Sequence, residues 1–100
     1  MSTYILNENG EPIAEPDIMK WTQWFDKAER HVGYTTIGDS TISTVFLGVN
    51  HSFASGAPVV WETVVFCGKL NQERKLCSGS REQAEAMHAR MVEKVKRANG

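Results

Sequence analysis

The apolar positions of this chain change period along its length. Ile18, Trp21, Phe25, Ala28 and Val32 recur at intervals of three and four, which describes one face of a helix. Glu15-Pro16-Asp17 suits its start, because proline fits a first turn and Asp17 can cap the free amides. Gly33 is the expected stop. Met19 and Trp24 fall off the stripe; they either widen the buried face or mark a second contact surface.

From Tyr34 to Val49 the pattern becomes that of a strand, rich in β-branched residues that favour extended backbone. Gly38-Asp39 is a turn or bulge dividing a short strand from a longer one at Thr41–Val49. In the longer one Ile42, Thr44 and Phe46 share a face, and Thr41, Ser43, Val45 and Leu47 share the other. Asn50–Pro58 is a loop. Val59–Cys67 follows as a strand in which Val59, Trp61, Thr63, Val65 and Cys67 alternate with Val60, Glu62, Val64 and Phe66. Apolar residues on both faces predict a central strand, or one covered by a helix and a partner chain. Gly68–Gln72 turns, and Glu73–Cys77 is a weaker strand.

The two ends carry sharper signals. Tyr4-Ile5-Leu6 followed by Asn7-Glu8-Asn9-Gly10 predicts a hairpin. Pro12 keeps its return strand, Glu11–Ala14, short or at an edge. Ser80-Arg81-Glu82-Gln83 is a capping box, and Ala84, Met87, Met91 and Val95 form the stripe of a last helix. The whole predicts a single α+β domain over residues 1–100: a small antiparallel sheet of about four to five strands with two helices packed on one face.

Composition narrows the class. An apolar fraction of 41% and a charged fraction of 23% describe a globular chain. No apolar run approaches the roughly 20 residues of a membrane helix. The start, Met1-Ser2-Thr3-Tyr4-Ile5, lacks the basic region of a secretory signal. A cytoplasmic protein without membrane association is the expectation. Residues 1–68 hold three cations against eight carboxylates, and residues 69–100 hold eight against four. That division can steer a partner, although cations at the end of a last helix also complement its dipole. Cys67 and Cys77 would face each other if residues 64–68 and 74–77 form a hairpin centred near Gln72. Reduced thiols are the expectation in the cytoplasm.

Candidate chemistry concentrates around the two middle strands. His51 and Glu62 form the acid/base pair worth weighing, with Asp39, Ser43 or Thr44 nearby. The simpler reading makes His51 a loop residue and Glu62 a strand residue. The hydroxyls of Thr35, Thr36, Ser40, Thr41, Ser43 and Thr44 could receive a phosphate-bearing small molecule, or be ordinary strand residues. Trp21, Trp24 and Trp61 belong to a core, unless one is exposed as an interface anchor. Gly33-Tyr34-Thr35-Thr36-Ile37-Gly38 lacks the lysine of a phosphate loop. Ligand spacing for a metal is missing, and no cofactor is expected. Lys94, Lys96 and Arg97 are too few for nucleic acid without an aromatic platform.

Several segments together carry a resemblance. They are Tyr4-Ile5-Leu6-Asn7-Glu8-Asn9-Gly10-Glu11-Pro12-Ile13, then Trp21, Trp24 and Phe25, then Ser43-Thr44-Val45-Phe46-Leu47-Gly48-Val49-Asn50-His51-Ser52-Phe53 with Pro58. Trp61-Glu62-Thr63-Val64-Val65-Phe66 and Ser80-Arg81-Glu82-Gln83-Ala84-Glu85-Ala86-Met87-His88 complete it. In these the chain resembles a group of small proteins encoded by bacteriophages and prophages. The loop Phe53-Ala54-Ser55-Gly56-Ala57-Pro58 is less glycine-rich than in that group. The resemblance supplies no activity or site residues. It implies a setting, a mobile element inside a bacterial cell.

The expected function is a binding protein of phage type that inhibits or modulates a host protein, such as an antiviral defence factor, in the manner of anti-CRISPR proteins. One alternative is a sponge for a nucleotide or phosphorylated small molecule. Another is a small hydrolase using His51 and Glu62. Self-association is also expected. The candidate binding residues are Asp39, Thr41, Ser43, Thr44, Asn50, His51, Phe53, Trp61 and Glu62.

Overall fold

The computed structural model describes residues 2–52 and 56–100. It is an α+β protein with two antiparallel sheets and two helices. The first sheet is the hairpin β1 (Tyr4–Leu6) and β2 (Pro12–Ala14). Asn7 builds its turn, accepting from the amides of Asn9 and Glu11 at 2.9 Å each. The second sheet is β3 (His31–Ile37), β4 (Ser40–Phe46), β5 (Trp61–Phe66) and β6 (Arg74–Cys77), in sequence order.

Helix α1 (Ile18–Lys27) starts on Asp17, whose carboxylate accepts from the amides of Met19 and Lys20. It ends earlier than the apolar stripe predicts: Ala28 is already extended, and Val32 and Gly33 belong to β3. Three-and-four spacing cannot distinguish a helical residue from a strand residue that reaches the same core. Ile18 and Met19 are exposed. Trp24 widens the buried face, meeting Phe46 edge to face at 5.6 Å between ring centroids. Trp21 ties the helix to the hairpin and to the end of β4, its indole N–H lying 3.1 Å from the carbonyls of both Tyr4 and Gly48. A side chain at Gly48 would meet the Phe25 ring at 2.8 Å.

Helix α2 (Arg81–Asn99) opens on the expected capping box. The Gln83 side chain accepts from the Ser80 amide at 2.9 Å and from the Ser80 hydroxyl. Its stripe of Ala84, Met87, Met91 and Val95 is buried against the four-stranded sheet. Strand β4 ends at Phe46; the chain bends at Gly48, whose φ is +76°, before an isolated bridge between Val49 and Thr3.

The observed register is not the one centred near Gln72 that would have set the two cysteines face to face. Cys77 lies opposite Trp61, whereas Cys67 sits six residues beyond Trp61 in the following turn. At about 3.3 Å per residue that is roughly 20 Å along the strand, well beyond disulfide reach. Both thiols are free.

A polar belt inside and an open sheet face outside

Strand alternation sorts the four-stranded sheet into two faces. Gly33, Thr35 and Ile37 of β3, Ile42, Thr44 and Phe46 of β4, and Trp61, Thr63 and Val65 of β5 face α2. The core they form is in two apolar halves. Phe46, Val60, Trp61, Ala84 and Met87 make one, and Ile42, Val65, Met91 and Val95 the other.

Between the halves runs a polar belt. The His88 ring places Nδ1 at 2.7 Å from Thr44 Oγ1 and Nε2 at 2.8 Å from Thr35 Oγ1. Thr44 Oγ1 is also 2.6 Å from Thr63 Oγ1. A neutral imidazole serves both sides, donating from one nitrogen and accepting at the other. Burial holds the His88 pKa below its ordinary value. The belt has the parts of a base and hydroxyl pair, but Thr44 and Thr63 have no exposed surface. The Thr44 and Thr63 hydroxyls are therefore shut off from solvent, while Thr35 and His88 at the other end of the belt are half-buried. His88 is not among the candidate residues read from the sequence. The available signal was spacing, since Ala84, His88, Met91 and Val95 also recur at four, three and four.

The outer face is different in kind. Thr36, Thr41 and Phe66 form one row across it. Tyr34, Ser43, Val64 and Arg74 form the next, and Val45, Glu62 and Leu76 the third. Both helices pack on the inner side, so no described element covers this face. Tyr34 is 70% exposed, Phe66 50% and Leu76 44%. The charges on it are matched internally: Arg74 Nε lies 3.2 Å from Glu62 Oε2.

The nine candidate residues distribute over several places. Thr41, Ser43 and Glu62 lie together on the outer face. Thr44 and Trp61 are inside, with the Trp61 indole N–H donating to the Gly79 carbonyl at 2.8 Å. Asp39 is exposed at the β3–β4 turn. Asn50 staples its loop, its side-chain oxygen accepting from the amides of Ser52 and Val59 at 2.9 Å each. His51 is exposed in that loop. Phe53 lies outside the described residues. Glu62 pairs with Arg74, and the structure gives it no hydrogen bond to His51. Among the described residues no cluster of three or more His, Cys, Asp or Glu side chains could hold a metal. Among the described residues no helix is long and apolar enough to cross a membrane.

Compared with known proteins, the chain matches no family model, no curated protein and no solved structure.

Proposed function

We propose that this chain is a protein-binding module of phage type, which acts by docking its outer sheet face on a host protein. The observation that carries the reading is the uncovered face with Tyr34, Phe66 and Leu76 standing exposed around Val45 and Val64. An exposed apolar patch of this kind marks an interaction surface. Its aromatic anchors, central hydroxyls and self-paired charge suit a mixed protein surface better than a polyanion. Four strands about 4.8 Å apart and about six residues long project roughly 400 Å². A standard interface takes about 800 Å² per partner, so the face would form an interface centre that neighbouring turns and edges complete.

The test is affinity purification of the tagged chain from a bacterial host with mass spectrometry, run beside the Tyr34→Ser/Phe66→Ser double variant. One stoichiometric host protein, captured by the parent and lost from the folded variant, supports the reading. Equal capture by both chains overturns it. Light scattering on the purified chain separates self-association through the same face.

A further inference from the structure

On the other side of the sheet, β6 and α2 diverge and leave a groove of about 380 Å³. Its apolar lining is made by Leu76, Cys77, Met87 and Met91. Its walls are cationic, with Lys75 from the strand and Arg90, Lys94 and Arg97 from the helix. Positions 90, 94 and 97 are spaced four and three, so the three cations share one helical face. Lys94 is spoken for, its Nζ lying 2.8 Å from Glu73 Oε1. No ion pair with a carboxylate is formed by Lys75, Arg90 or Arg97 among the described residues. Helix dipole complementarity explains cations in a last turn. It does not explain Arg90, which lies mid-helix, or Lys75, which lies on a strand.

The groove runs along an open sheet edge. Among the described residues strand β6 pairs only with β5. The carbonyls of Glu73 and Cys77 are used by the amides of Val65 and Val60. Antiparallel alternation therefore turns the main-chain groups of Arg74 and Leu76 away from β5, towards solvent. An open edge, an apolar lining and unpaired cations on both walls, Lys75 on the strand and Arg90 and Arg97 on the helix, are the elements of strand-addition recognition.

We infer that the β6–α2 groove binds an extended acidic peptide segment, which adds to the β6 edge, seats an apolar side chain on Met87 and Met91, and presents carboxylates to Lys75, Arg90 and Arg97. The occupant is fixed by charge complementarity and by the unused main-chain groups. The lining holds no aromatic ring on which a nucleobase could stack. The cations of this site are on the opposite side of the sheet from Tyr34 and Phe66, and Leu76 of the edge strand borders both surfaces, so the test uses variants at Tyr34 and Phe66 to tell the two apart.

The test is an NMR titration of the labelled chain with an end-blocked heptapeptide of alternating glutamate and valine. Amide shifts at residues 74–77 and 87–97 are expected, with slowed exchange of the Arg74 and Leu76 amides. Affinity should fall as salt is raised, and Arg90→Glu/Arg97→Glu should weaken binding about ten-fold or more. Tyr34→Ser/Phe66→Ser should leave it unchanged. Three results would each overturn the inference. They are equal binding of the lysine-for-glutamate peptide, equal binding of a peptide methylated on its main-chain nitrogens, and no shifts at millimolar peptide. Equivalent shifts with inorganic phosphate alone would reduce the groove to an anion site and reject the peptide.

Discussion

His88 Nδ1 and Thr44 Oγ1 stand 2.7 Å apart at the level where the apolar core divides in two. The contact joins the middle of α2 to the middle of β4, and Thr63 and Thr35 extend it to β5 and β3. It fixes the helix along its axis as well as onto the sheet. Apolar contacts alone would tolerate sliding; paired polar groups do not, because a slip leaves them unsatisfied in a dry interior. Thr44→Val keeps the shape and removes the hydroxyl. It should destabilise the fold by about 1–3 kcal/mol, the cost of leaving buried partners unpaired. Urea unfolding of the two chains measures the difference.

The same ring makes stability depend on pH. Burial lowers the folded pKa of His88, while the unfolded chain titrates near 6.5. Between the two values the unfolded state binds more protons. The stabilising contribution is therefore complete above about pH 6.5 and is lost as pH falls through the folded pKa. The His88 ring resonances should titrate below those of a free histidine. In His88→Leu that component of the pH dependence should vanish; its persistence would assign the effect to other groups.

Gly33 is where β3 yields to the ring. A side-chain carbon added there would lie 2.7 Å from the His88 imidazole, and β3 shifts register between His31 and Gly33. Gly33→Ala should cost about 1–3 kcal/mol through overpacking. In a His88→Ala background the cost should largely disappear. A double-mutant cycle by thermal unfolding reads this coupling, and an unchanged penalty would place the strain elsewhere.

The cysteines should behave as two separate thiols. Cys67 is exposed in its turn. Cys77 is half-buried, and burial raises its pKa even though Arg90 works in the opposite direction. A maleimide should label Cys67 quickly and Cys77 slowly in the folded chain. Mild oxidation should form no internal disulfide. A compacted band on non-reducing electrophoresis would contradict the register.

Outer-face substitutions should separate binding from folding. Tyr34→Ser removes a ring that is 70% exposed, so stability should move by less than about 0.5 kcal/mol. Partner capture should nevertheless fall. A large loss of stability would mean that the ring supports the fold rather than presenting a surface.

The elements whose signals are local were legible in the order of residues alone. The Asn7–Gly10 turn, the Asp17 cap, the Ser80–Gln83 capping box and the α2 stripe all depend on neighbours a few residues apart. Side-chain alternation, fixed by strand backbone geometry, also put Ile42, Thr44 and Phe46 on one face; that this face is the buried one came from where α2 packs. Other features waited for the tertiary structure. Val32 matches a helical interval but lies in a strand, since two elements converging on one core can share a spacing. The hydroxyl series divided, with Thr35 and Thr44 turned in to His88 and Thr41 and Ser43 turned out. His88 found partners at sequence separations of 53 and 44 residues. The basic groove needed Lys75 on a strand to meet Arg90 and Arg97 on a helix. Contacts at that range are set by how the sheet twists and where the helix crosses it, and no local pattern of residues carries that information.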